Sequence, residues 1–350
     1  MPVCRNHTHK TSAVMLILSG SLCLAQPCFA GGFDTSDFSL RLPAALNRFS
    51  SCSDVAATGG ASAANKWQSS VNPASTAWMP LAGTFQMSLN PQYSAILFDQ
   101  GTVLHVATES ITKDFKNYGS VQLTAVQVRS NERLDRQGTA FGYDMNHLQL
   151  QWGKRLGDDF AAGINLNYAS TTVTNRIESA IQAKSVSDSY GIRAGLLYRA
   201  MPDLMVGLVT DYSVSPATTT ISDISGSGGS DEVLGDRTKQ FTIRTGPAYE
   251  YAKDSTLYFD YNFIFLENST GNLGVHRFHA GVDHKIAEPL FLRGGLILDN
   301  HGNTSWTGGV GLYPSDKFGI DLGYQYNIFP EIQSEFGPAH LISIALSIIW

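Results

Sequence analysis

The sequence predicts a transmembrane antiparallel β-barrel of about fourteen strands. Three observations predict it. Apolar residues recur at every second position along most of the chain, as in Phe318, Ile320, Leu322, Tyr324 and Tyr326 against Gly319, Asp321, Gly323, Gln325 and Asn327. The alternating runs are long enough to cross a bilayer when tilted. Aromatic residues gather near the ends of these runs (Trp152, Tyr168, Tyr198, Tyr212, Tyr249, Tyr251 and Trp350), where a bilayer has its interfaces.

Composition narrows the class. The 350-residue chain carries 24 Lys+Arg and 30 Asp+Glu, a formal charge of −6, and only 15% charged residues. An ordinary soluble domain has roughly 25%. At 43% hydrophobic, the chain can bury far more than a disordered segment does. The negative balance and the lack of a basic run exclude a nucleic-acid partner.

Residues 1–30 read as a secretory signal peptide. Arg5, His7, His9 and Lys10 form a basic start, Ala13–Ala25 is apolar and uncharged, and Cys28 and Ala30 supply the small residues of a cleavage site. The apolar part is too short to span a bilayer as a helix. Cleavage removes Cys4, Cys23 and Cys28, which leaves Cys52 alone and no disulfide. It also removes Arg5 and Lys10 and takes the formal charge from −6 to −8. An exported chain of this kind suits the bacterial envelope, as a multi-pass barrel of the outer membrane.

Residues 31–80 are rich in Ala, Ser and Asn and do not alternate. They suit either an unfolded leader or a plug folded into the lumen, and the plug is the expectation. The barrel then occupies 81–350. Its strands are expected near 81–89, 94–108, 120–129, 140–154, 158–174, 186–199, 203–213, 238–251, 255–266, 274–286, 289–299, 304–313, 317–327 and 339–350. Helices are excluded in these runs, because alternation would scatter apolar side chains around a helix axis. A soluble sandwich also alternates. It is disfavoured by strand length and by opposite faces made of Gly, Asn, Gln and charge.

The connections alternate in length. Tight turns fall at Gly157-Asp158, Met201-Pro202-Asp203, Lys253-Asp254, Glu288-Pro289 and Pro314-Ser315-Asp316. Longer links fall at 130–139, 175–185, 214–237, 267–273 and 328–338, with a short exception at 300–303. Bacterial outer-membrane barrels have short periplasmic turns, long outer loops and an even strand count. The Ser/Gly-rich 222–230 stretch reads as a flexible outer loop.

The segment Val71-Asn72-Pro73-Ala74-Ser75, just ahead of the barrel, resembles the Asn-Pro-Ala hatch motif of the FadL/OmpP1 family of outer-membrane transporters. The tail strengthens the resemblance with Leu292-Arg293-Gly294-Gly295, Thr307-Gly308-Gly309-Val310-Gly311, Gly323-Tyr324-Gln325-Tyr326 and the terminal Trp350. The resemblance covers most of the chain after residue 60. It implies a fourteen-stranded barrel with an N-terminal hatch at Asn72, Pro73 and Ala74. The implied cargo is a hydrophobic small molecule, a long-chain fatty acid or an aromatic hydrocarbon. The family also holds relatives that serve secretion, so an anchoring or shuttle barrel with other envelope proteins as partners is the alternative. The chain is short for the family, which implies small outer loops.

A channel for greasy cargo needs an apolar pocket and an exit through the wall into lipid. A long acyl chain gains about 0.8 kcal/mol for each buried CH₂. Its carboxylate then needs one or two cations. A wall exit would leave a broken strand. In 120–129 the apolar phase slips between Leu123 and Val126, so a bulge is expected at Thr124-Ala125. In 238–251 Gly246-Pro247 interrupts a regular run, and proline cannot donate to a ladder. Arg244 and Arg277 face opposite to Phe241, Ile243 and Phe278. They are therefore candidate lumen cations for a ligand carboxylate, although such charges most often pair with one another.

No catalytic residue, metal site or cofactor is expected. Asp299, His301 and Ser305 share one link and could in principle form a hydrolytic set, making a lipid hydrolase a minor alternative. Asn-His-Gly-Asn is more simply turn chemistry. An open porin is disfavoured if residues 31–80 fill the lumen.

Overall fold

A computed structural model describes residues 56–65, 70–79, 86–99, 101–131, 139–177, 180–221, 232–269, 271–329 and 338–350. The expected leader at 1–30 and the Ser/Gly-rich loop at 222–230 lie outside the described residues.

Among the described residues fourteen strands form one closed antiparallel barrel. They are β1 (Met87–Phe98), β2 (Val103–Asp114), β3 (Ser120–Ser130), β4 (Thr139–Arg155), β5 (Phe160–Ile177), β6 (Ala180–Met201) and β7 (Leu204–Ile221). The second half contains β8 (Glu232–Ala252), β9 (Ser255–Asn268), β10 (Gly271–Ala287), β11 (Leu290–Asp299), β12 (Thr304–Ser315), β13 (Phe318–Tyr326) and β14 (Ala339–Ile349). Each strand pairs with the next in sequence, and β14 closes on β1 through Leu89↔Ile348 and Tyr93↔Ile344. Closure leaves no edge strand, the condition for a sheet in lipid.

The predicted code is present in space. Leu148, Leu150, Ile164, Leu166, Ile192, Leu208, Phe259, Leu292, Leu322 and Ile344 stand exposed on the outer face. Ser94, Thr112, Gln151, Asn165, Asp260, Arg293 and Asp321 are buried on the inner one. The polarity is thus inverted relative to a soluble protein, as a barrel in lipid requires.

The first two strands differ from expectation. The expected runs, 81–89 and 94–108, are parted by a gap at 90–93. The structure runs β1 straight through Pro91, and the turn falls at 99–102, where Gly101 has φ 90°. Pro91 is tolerated because the β1–β14 rungs skip Asn90 and Pro91 and resume in the same register, from Leu89↔Ile348 to Gln92↔Ala345. The expected links 175–185 and 214–237 are also largely strand, since β5 reaches Ile177, β7 reaches Ile221 and β8 starts at Glu232. There the alternation fades into Ser and Thr, yet the backbone keeps pairing beyond the apolar belt. β-branched Thr218, Thr219 and Thr220 suit that role.

The bulge expected at Thr124-Ala125 is absent. β3 pairs without a register shift on both sides, through Thr124↔Ser110 and Ala125↔Glu109 to β2 and Thr124↔Gln149 and Ala125↔Leu148 to β4. The phase slip has another cause. Gln127 and Arg129 face outward near the strand end, whereas Val126 and Val128 point into an apolar part of the lumen. The residues change sides in polarity while the pleat continues unbroken.

These faces predict a position-dependent cost for charge. Ile344→Arg, in the middle of the β14 outer run, should destabilise the barrel by about 2–4 kcal/mol, and Gln127→Arg by at most about 1 kcal/mol. Reversible unfolding from lipid vesicles checks this; equal costs at the two sites would contradict the assignment of faces.

Candidate functional site: the lumen and its N-terminal segment

Fourteen strands enclose a space wider than wall side chains fill on their own. Residues 57–65 and 70–77 occupy the lower part of it, toward the rim of tight turns. Their course follows from glycines on the inner wall. A Cβ at Gly309 of β12 would meet Ala57, one at Gly281 of β10 Thr58, and one at Gly295 of β11 Gly59, each within 3.0 Å. The same holds for Gly207 of β7 against Ala63, Gly195 of β6 against Asn72, and Gly163 of β5 and Gly153 of β4 against Pro73. Several are direct cross-strand partners: Gly153↔Gly163, Gly163↔Gly195 and Gly281↔Gly295. The wall is therefore notched where the segment's backbone lies on it.

Polar groups lock the segment into these notches. The Asp260 carboxylate accepts from the backbone N–H groups of Ser62 and Ala63 at 2.7 and 2.8 Å. Arg244 donates to the Gly60 carbonyl at 3.0 Å and sits 4.0 Å from Asp260. His279 Nδ1 lies 2.7 Å from the Gly59 carbonyl. Gly59 and Gly60 hold φ of 68° and 70°, which turns both carbonyls toward the wall. Arg193 pairs with Asp211 at 2.7 Å and donates to the Ser70 carbonyl at 2.8 Å. Thr307 donates to the Ala57 carbonyl at 2.8 Å. At the far end Arg155 donates to the Ala77 carbonyl at 3.1 Å. The Arg155 and Arg199 guanidinium groups lie 4.1 and 4.4 Å from the Trp78 ring centroid.

Asn72, Pro73 and Ala74 stand at the start of a short 3₁₀ helix, Pro73–Ala77. Asn72 is its N-cap: Oδ1 accepts from the Ala74 N–H at 3.0 Å, and Nδ2 donates to the carbonyls of Ala63 (2.6 Å) and Leu196 (3.0 Å). Pro73 supplies the fixed φ of a first helical position. The short side chains let the turn lie flat on Gly163 and Gly195.

Arg244 and Arg277 come side by side. Both partner Asn262 of β9, Arg244 from β8 and Arg277 from β10, and all three face inward. At Gly246-Pro247 the β8–β9 rungs are skipped while the register holds, from Thr245↔Tyr261 to Ala248↔Tyr258. The Asp260 side chain folds over Gly246 there. The break thus presents Asp260 to the segment. Pro216 shows the same pattern between β6 and β7, where the rungs pass from Ser187↔Ala217 to Tyr190↔Val214.

Above the segment, toward the rim of longer connections, the lumen turns apolar. Ile96, Phe98, Leu104, Val106, Val128, Tyr143, Met145, Val173 and Leu341 form one buried cluster with Ile328 and Phe329 of the β13–β14 connection. Phe98 and Phe329 stack at 6.3 Å. Asp299 is engaged in a turn, accepting from the N–H groups of His301 and Asn303 at 2.9 Å each. Ser305 donates to the Tyr326 carbonyl at 2.5 Å. Among the described residues no group of His, Cys, Asp and Glu is placed to hold a metal ion.

Sequence reasoning missed the glycine notches, Asp260, the Trp78 clamp and the apolar upper lumen. The glycines did leave a signal. Gly153 and Gly163 sit at equal distances either side of a tight turn, and aligning hairpins at their turns would have brought them opposite.

These features define a membrane-spanning barrel whose lumen holds its own N-terminal segment. Among solved structures, the chain is similar to the CymD monoaromatic hydrocarbon channel, with a TM-score of 0.57 and 15% identity over 85% of this chain and 96% of that one. It is also similar to a Pseudomonas aeruginosa FadL homologue (TM-score 0.57, 11% identity, 85% and 97% covered). A third likeness is to the Pseudomonas putida toluene transporter TodX (TM-score 0.55, 11% identity, 85% and 97% covered). The fold is thus the FadL-type fourteen-stranded barrel. No protein-family profile matches the sequence, and no curated protein matches it.

The notches predict that Gly207→Val and Gly195→Leu expel the segment while the barrel persists. Hydrogen exchange of amides in 58–77 should rise at least tenfold in either variant, with β-strand amides unchanged. Unchanged protection of the segment would contradict the docking.

Proposed function

We propose that this protein is an outer-membrane channel for hydrophobic small molecules, with tight turns in the periplasm and longer connections outside. The observation that carries the reading is the apolar cluster of the upper lumen, around Phe98, Val128 and Met145, above a lower lumen occupied by the N-terminal segment, where Asp260, Arg244 and Arg193 stand beside a smaller apolar cluster at Trp78, Leu197 and Met205. An aqueous porin gains nothing from an apolar entrance. A greasy solute gains about 25 cal/mol for each Å² it buries there. The hydrocarbon channels of the same fold carry cargo of that chemistry. In this reading Asn72, Pro73 and Ala74 belong to a hatch, and residues 1–30 are the cleaved export signal. The row Arg244, Asn262 and Arg277 offers donors to a ligand carboxylate, should the cargo bear one.

The test is binding of toluene and of a long-chain fatty acid to the purified barrel. Val128→Asp and Met145→Asp should each weaken toluene binding about tenfold or more by placing a carboxylate in the apolar cluster. Arg277→Gln should weaken the fatty acid alone. Free passage of sugars and ions, with no hydrocarbon bound, would refute the proposal.

A further inference from the structure

Among the described residues four hydrogen-bonded Tyr–His pairs stand on the outer face: Tyr251–His284 (2.7 Å) spans β8 to β10 near the tight turns, and the other three, each on adjacent strands, share one construction. The Tyr93 hydroxyl lies 2.6 Å from Nδ1 of His105, that of Tyr261 2.7 Å from His276, and that of Tyr324 2.9 Å from His340. The ring centroids are 6.1, 6.0 and 6.2 Å apart, with interplanar angles of 30°, 32° and 36°. The register explains the repeat. His105 partners Ala95, His276 partners Phe263 and His340 partners Tyr326, each two residues past the tyrosine. In all three pairs the histidine is the member nearer the rim of longer connections.

An interfacial girdle needs only Trp and Tyr. Here each tyrosine instead orients an imidazole on its watery side. With the phenol donating to Nδ1, the ring proton sits on Nε2, which becomes a donor directed away from the tyrosine. Phe263 packs on His276 at 4.9 Å. Arg129 partners His105 across β2 and β3, but its guanidinium is engaged by the Asp144 carboxylate at 3.3 Å. His340 Nε2 lies 3.7 Å from an Asp99 carboxylate oxygen, which makes it the least anionophilic of the three.

We propose that these three oriented imidazoles bind the phosphate groups of a phosphorylated lipid headgroup in the leaflet at that rim. Oriented N–H donors at headgroup level complement phosphate oxygens. The proposal takes its leaflet from the outer-membrane reading above.

The experiment uses the full chain in detergent micelles carrying bisphosphorylated lipid A, its dephosphorylated form, or inorganic phosphate alone. Wild-type protein should bind the phosphorylated lipid about tenfold tighter than the dephosphorylated one. H105Q/H276Q/H340Q and Y93F/Y261F/Y324F should both lose that preference while still migrating as folded barrels on unheated gels. If a triple variant does not fold, H105Q and H276Q singly should each lose part of it. No wild-type preference, its retention in a folded triple variant or in both single variants, or equal protection by inorganic phosphate overturns the proposal. Orientation is read separately, by labelling His301→Cys from outside intact cells. A failure there sinks the outer-membrane reading and leaves the micelle result standing.

Discussion

The fold rests on a single intolerance: a backbone N–H or C=O facing hydrocarbon costs several kcal/mol when left unmatched. A sheet meets that demand only by closing on itself, and the β1–β14 seam does so. Once closed, every strand has lipid on one side and a lumen on the other, and period-two patterning follows. Three of the four strand prolines, all but Pro314 at the β12–β13 register shift, show how little slack remains. Pro91, Pro216 and Pro247 each fall where rungs on one side are skipped and the register is unchanged on both flanks.

Closure creates a second problem. The ring is too wide to be filled by its own side chains, and its inner polar groups need partners. The stretches 57–65 and 70–77 answer both needs with backbone. Glycine notches bring the segment's peptide groups against the wall. Asp260, Arg244, His279, Arg193 and Arg155 then each bind a backbone N–H or C=O group of the segment. Hydrogen bonds involving charged groups contribute about 1.5–3 kcal/mol each in such settings. Locking by backbone explains why a stretch rich in Ala, Ser and Gly, with little apolar bulk, can still be held inside the barrel. It also explains why Arg244 serves the segment first.

Legibility in the sequence followed the strength of the solvent contrast. Where lipid and water faced each other, as along Phe318–Tyr326 or Leu257–Phe265, alternation placed the strands and their faces correctly. Where water lay on both sides, in the Thr-rich ends of β5 to β8, the code vanished and strands read as loops. Where the lumen itself was apolar, at Val126 and Val128, a regular strand looked broken. The gap expected at 90–93 is absent for a local reason, because Pro91 is tolerated at a skipped rung. The pairing of Arg244 with Arg277 through Asn262 could not be read without register, and neither could the glycine notches.

The central claim, which we propose, is that the N-terminal stretches 56–65 and 70–79 stopper the barrel. Single-channel conductance in planar bilayers tests it most directly, comparing the intact chain with one lacking 56–79. The account predicts a silent intact protein and steady, large-conductance openings in the deletion, with unchanged heat-modifiable migration of the barrel. Openings of equal size in both proteins, or silence in both, would contradict it.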